Sequence, residues 1–107
     1  VTMDCVNAVT GRDLTLNDAM IIGKRMINQL RLFNLRHGLD TALEVPSPRY
    51  GSTPVDGPAK GIPIMKHFHW MKSFYFQVAG WDPATGKPLP HTLRELGLER
   101  LIPDLDT

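Results

Sequence analysis

Apolar residues return every three or four positions over two long stretches of the chain, and each stretch closes on a glycine. In the first, Leu16, Ala19, Gly23, Met26 or Ile27, Leu30 and Phe33 mark one face of a helix, which Met20, Ile22 and Leu35 widen. Thr15 and Asp18 at its start read as a capping box with Asp in the place of Glu, and Asp18 suits the positive end of the helix dipole. Arg36 and His37 fall in the last turn, where cations are favoured, and Gly38 ends the helix. The pattern predicts about 23 helical residues, roughly 34 Å at 1.5 Å per residue. A helical glycine costs about 1 kcal/mol against alanine, so Gly23 on the stripe predicts a closely packed neighbour. In the second stretch, Phe68, Met71, Tyr75 and Val78 set the face of a helix over 65–79, Trp70 and Phe74 broaden it, and Gly80 closes it.

Shorter elements flank these two. Met3, Val6 and Val9 before Gly11 predict a helix tail over 1–10. Thr92-Leu93-Arg94-Glu95 matches a capping box for a short helix ending near Gly97, with a last turn before Pro103. Between Asp82 and Pro88, Pro83 presets φ and Gly86 can take positive φ, so a turn is expected. From Leu39 to Pro63 the chain holds Pro46, Pro48, Pro54, Pro58 and Pro63, which exclude a long helix or a central strand. Val45, Tyr50, Val55 and Ile62 punctuate that loop, and loops of this length wrap a surface or serve a site. No period-two alternation and no internal repeat are present. The expected fold is all-α: an irregular helical domain with one long helix, a Pro-rich loop and two or three shorter helices, spanning 1–107.

The long helix is out of proportion to the rest. A chain of about 100 residues folds to a radius of gyration near 13 Å, and the remaining helices are too few to cover the whole stripe. Further chain is therefore expected against it. The absence of an initiator Met and the start inside a helix point the same way, to a fragment of a larger protein.

Charge narrows the function classes. Twelve Lys and Arg stand against eleven Asp and Glu, a formal charge of +1. That balance argues against nucleic acid or an anionic membrane as partner. No apolar run approaches the ~20 residues of a membrane helix, and no signal peptide is seen. A lone thiol, Cys5, fits a reducing compartment, so a cytoplasmic setting is expected.

Candidate chemistry is sparse. His67 and His69 would point about 200° apart on a helix and cannot share an ion, so they read as surface histidines. Gly57-Pro58-Ala59-Lys60-Gly61 lacks the Ser or Thr and the strand–helix setting of a phosphate loop and reads as a tight turn. Cys5 sits in an apolar rhythm without a nearby cation and is expected to pack as a small hydrophobe. Trp70, Phe74, Tyr75, Phe76 and Trp81 are the one aromatic concentration; such clusters stack bases or line pockets, but at helical spacing they read as core. Arg25, Arg31 and Arg36 read as solvated charges on the flank of the long helix. No Ser-His-Asp pattern, paired acids or cofactor fingerprint occurs, so no catalytic, cofactor-binding or metal-binding residue is expected here.

The order of segments is more telling than any single motif. Asn7-Ala8-Val9-Thr10-Gly11 precedes a capped helix with Gly23-Lys24-Arg25 and then Arg31-Leu32-Phe33-Asn34-Leu35-Arg36-His37-Gly38. Gly57-Pro58-Ala59-Lys60-Gly61, Gly80-Trp81-Asp82, Gly86-Lys87-Pro88 and Leu93-Arg94-Glu95-Leu96-Gly97-Leu98 follow. This succession resembles the C-terminal end of the tungsten-containing aldehyde ferredoxin oxidoreductases over nearly the whole chain.

The resemblance implies a parent of three domains: a β-rich base for a paired pterin holding tungsten or molybdenum, then two mainly helical domains. It implies oxidation of an aldehyde to a carboxylate with water, two electrons passing through a [4Fe–4S] cluster to ferredoxin. The family's last cluster cysteine lies in a D-x-x-G-L-C type motif upstream of the segment matched by Asn7 to Gly11. It would fall before Val1, and ligation does not transfer to Cys5. The implied role is a helical scaffold, inactive alone, whose partners are the parent's other domains, with ferredoxin and a homo-oligomer at the level of the whole enzyme. Two departures bear on substrate: Val45 to Tyr50 replaces an acidic and LP-x-R stretch, and Lys66 to Tyr75 is basic and aromatic where relatives are acidic. The family also contains a benzoyl-coenzyme A reductase subunit. The alternative reading is a free-standing helical interaction module that uses the aromatic helix 65–79.

Overall fold

A computed structural model describes residues 1–106. Among them the chain is helical: α1 is Thr2–Thr10, α2 Leu16–Arg36, α3 Pro48–Gly51, α4 Met65–Val78 and α5 Pro90–Glu95. Two 3-10 segments, Thr41–Leu43 and Glu99–Asp106, complete it, and the only bridge among the described residues joins Trp81 to Pro88.

The helix ends explain where the core forms. After α4, Gly80 takes φ 73° and lets the Trp81 N–H donate back to the Phe76 carbonyl at 2.8 Å. After α5, Gly97 takes φ 65° and the Leu98 N–H donates to the Leu93 carbonyl at 2.7 Å. This left-handed ending folds the residue after the glycine onto the one five positions before it, and an apolar pair there is buried. Phe76 with Trp81 and Leu93 with Leu98 are such pairs, and all four are buried. Leu32 of α2 and Leu96 join Leu93 and Leu98, and Leu101, Ile102 and Leu105 of the last segment pack around them. Gly38 ends α2 in the same way, with the Leu39 N–H donating to the Asn34 carbonyl at 2.9 Å.

Capping follows the sequence pattern at α2 and departs from it at α5. The Thr15 hydroxyl accepts from the Asp18 N–H at 3.2 Å, and the Thr15 N–H donates to the Asp18 carboxylate at 2.8 Å. Thr92, expected as a cap, instead lies inside α5, which begins at Pro90 without a side-chain cap. Its hydroxyl donates to the Gly80 carbonyl at 2.7 Å. Proline at a first helical position loses no bond, because that N–H has no intrahelical partner. Before α2, the Asn7 side chain clips the linker, donating to the Leu14 carbonyl and accepting from its N–H, both at 2.9 Å.

Three packing expectations are corrected. The α2 stripe from Leu16 through Met26, Ile27, Leu30 and Phe33 is exposed, and the buried positions are Asn28, Arg31 and Leu32 on the opposite side. A Cβ on Gly23 would meet nothing within 4 Å, so none of the described residues packs there. Cys5, expected to be packed, is exposed. For α2 the physical reason is that the core is built around α5 and the last segment, and nothing among the described residues lies over its outer side; Cys5 lies on α1, none of whose residues is buried. The radius of gyration, 17.7 Å, accordingly exceeds the ~13 Å of a self-covered globule of this length.

Candidate functional site

Arg31 organises the centre of the molecule. Only 6% of it is exposed. Its Nε donates to the Gly86 carbonyl at 2.9 Å, and its two terminal nitrogens fork onto the Glu44 carboxylate, one of them at 3.1 Å. The guanidinium carbon lies 4.7 Å from the Trp81 ring centroid and 5.2 Å from that of Phe76. Arginine suits this place because its planar head can stack on rings while its edge forms paired hydrogen bonds. The expectation of a solvated flank charge is therefore corrected for Arg31, whereas Arg25 and Arg36 are exposed.

The surrounding contacts tie the Pro-rich loop to the helices. Glu44 follows the 3-10 turn at Thr41–Leu43, which Asp40 caps by accepting from the Ala42 N–H at 2.8 Å. Lys72 of α4 donates to the Thr41 carbonyl and lies 4.0 Å from Glu44. On the other side, the Trp81 indole N–H donates to the Asn28 side-chain oxygen at 2.9 Å, and Asn28 donates to the Lys24 carbonyl at 2.8 Å. α2, the loop, α4 and the 82–88 turn thus meet at one charged and aromatic node.

Asp82 holds that turn. Its carboxylate accepts from the Thr85 N–H at 2.7 Å, the Thr85 hydroxyl at 2.8 Å and the Ala84 N–H at 3.0 Å. The Thr85 N–H first and then its hydroxyl lower the Asp82 carboxyl from its ordinary value. At Asp18 the Thr15 hydroxyl is the larger cause and the Thr15 N–H the second, again lowering the carboxyl. A lowered folded-state value stabilises the fold above the unfolded value, and that contribution is lost as pH falls through the folded one. Carbon-detected NMR titration is expected to place both midpoints below 3.8, the ordinary value. Asp18→Asn should remove the acid-sensitive part of α2 helicity; an unchanged acid limb would refute the cap's role.

Beside the node lies a cleft of about 470 Å³, lined by Ile64, Phe68, Met71 and Tyr75 over the polar floor of Arg31, Glu44 and Lys72. A shallower depression of about 600 Å³ runs over Met26, Ile27, Leu30 and Phe33 of α2.

The remaining sequence candidates disperse. Phe76 and Trp81 are buried, but Trp70 is 68% exposed and stacks on exposed Phe74 with centroids 5.5 Å apart, so the aromatic run is only partly core. His67 and His69 are exposed on α4. Gly57 and Gly61 take positive φ in a turn that the Gly61 N–H closes on the Pro54 carbonyl at 2.9 Å. Among the described residues no three His, Cys, Asp or Glu side chains converge to hold a metal ion. A [4Fe–4S] cluster takes four thiolates, and this chain has Cys5 alone, so these residues do not fit such a cluster. No helix among the described residues is long and apolar enough to cross a membrane.

The residues that build the node all lie within the part of the chain that matches a known family. The family model described as aldehyde ferredoxin oxidoreductase, domains 2 and 3, matches residues 1–98. The chain belongs to the aldehyde ferredoxin oxidoreductase family. It is 37% identical over 101 residues to a tungsten-containing aldehyde ferredoxin oxidoreductase of Pyrococcus horikoshii, covering 92% of this chain and 16% of that protein. It is 38% identical over 97 residues to the enzyme of the same name from Pyrococcus furiosus, covering 89% of this chain and 16% of that one. The corresponding Thermococcus kodakarensis enzyme is 34% identical over 101 residues. The chain thus spans 16% of the length of these relatives. No solved structure matches it significantly. Within the matched residues of this chain, Asn7, Arg31, Trp81 and Gly86 perform structural tasks: a linker clip, a buried fork, a stacking wall and a tight turn.

Proposed function

We propose that this chain is a helical scaffold domain, residues 1–107, of a tungsten- or molybdenum-pterin enzyme that oxidises aldehydes to carboxylates. Water supplies the oxygen, and two electrons leave through a [4Fe–4S] cluster to ferredoxin. The chain supplies no catalytic residue and no cofactor ligand; it completes the shape of the enzyme and is inactive alone. The whole enzyme works in the cytoplasm. The observation that carries this reading is identity running along 92% of the chain to tungsten-containing aldehyde ferredoxin oxidoreductases. The uncovered outer side of α2 supports it.

The test is the complete gene product, produced anaerobically and assayed for metals and for aldehyde-dependent ferredoxin reduction. About one tungsten and four irons per chain are expected. A metal-free product that reduces no ferredoxin would overturn the enzyme reading. The exposed Trp70–Phe74 stack favours a second reading, an interaction module built on α4. A radius of gyration of 17.7 Å and the bare α2 stripe count against a free-standing module.

A further inference from the structure

The exposed side of α2 has the spacing of a helix seam. Leu16, Met20, Gly23, Ile27 and Leu30 follow one another at intervals of about four, three, four and three residues, an alternation that averages 3.5. That average keeps a single line of side chains against a neighbouring helix crossing at a small angle. Their large side chains, with Met26 and Phe33 alongside, are 48% to 71% exposed. At the seam's midpoint, Gly23 has nothing within 4 Å of where a Cβ would stand, which leaves a notch for the closest approach of another backbone. The opposite side of α2, through Asn28, Arg31 and Leu32, is already buried in this chain.

We propose that this seam seats an α-helix from the remainder of the same polypeptide, running nearly along α2 and closest to it at Gly23. The proposal rests on the reading of the chain as one part of a longer enzyme. Two observations select this occupant. The chain spans 16% of the length of its relatives, so most of the polypeptide available to cover α2 lies outside these residues. A second copy of α2 is disfavoured by charge: Lys24 flanks the seam next to the Gly23 notch, and no acid stands on either flank to meet it. Pairing α2 with itself would set like charges side by side.

The experiment places the photo-crosslinker p-benzoylphenylalanine at Leu30 in the complete gene product and maps the linked peptides by mass spectrometry. The expected product runs at single-chain mass on a denaturing gel and joins position 30 to a peptide outside residues 1–107. A product of doubled mass would assign the seam to a second copy and overturn the proposal. So would linkage confined to residues 1–107, or no protein linkage at all. Should the Leu30 variant misfold, Phe33 at the edge of the seam takes the crosslinker. An amine-reactive linker on Lys24 of the unmodified protein provides the same three-way partition. Metal content of the same sample tests the enzyme reading separately: a single-chain crosslink in a metal-free protein would keep the seam and discard the oxidoreductase.

Discussion

Arg31→Ala is expected to lower the unfolding free energy by about 3 kcal/mol, read as a fall in the urea midpoint at constant slope. Three losses combine. The buried Gly86 carbonyl loses its donor, Phe76 and Trp81 lose the cation between them, and a cavity opens where the side chain was. The ion pair itself adds less than full burial would imply, since Glu44 is 30% exposed and water screens the carboxylate left behind. Arg31→Lys keeps the charge but lacks the planar fork, and should recover less than half of the loss. A shift below about 0.5 kcal/mol for Arg31→Ala would mean that the guanidinium is a solvated flank charge after all.

Gly86→Ala is expected to cost about 2–5 kcal/mol, of the same order as Arg31→Ala. Two terms add. The residue sits at φ 66°, where a Cβ costs roughly 1–2 kcal/mol. The new methyl would also stand 2.9 Å from the Phe76 ring and against the Arg31 guanidinium, so a packed node must shift, at about 1–3 kcal/mol. The two substitutions share a contact, so their effects should not add. In the Arg31→Ala background the methyl meets open space on one side, and Gly86→Ala should cost at least about 0.5 kcal/mol less. A double-mutant cycle by urea unfolding measures this, and strict additivity would refute the contact.

Local signals made most of the helices legible. Thr15 and Asp18 announced the start of α2, and Gly38 its end, because caps and left-handed endings depend on residues within six positions of each other. The same rule would have located part of the core. Gly80 followed by Trp81, with Phe76 five residues before it, and Gly97 followed by Leu98, with Leu93 five before it, are buried pairs written locally. Thr92 misled because a Thr followed three residues later by Glu resembles a cap, while Pro90 had already begun the helix. Arg31 and Asn28 were missed for a different reason. A cation beside the apolar stripe of a helix is normally solvated, and nothing within a few residues indicates that Gly86 and Trp81 approach.

From the sequence alone came the helical class, the helix ends, the Pro-rich loop and the kinship to aldehyde ferredoxin oxidoreductases, since each rests on short-range periodicity or on ordered motifs. The tertiary structure alone decided which side of α2 is buried and which charge is structural. Arg31 meets Gly86 across 55 residues, and Trp81 meets Asn28 across 53. Periodicity shows that a helix has an apolar side, but burial depends on what covers it. In this chain the widest apolar stripe is left bare, and the buried side is set by contacts more than 50 residues away in sequence.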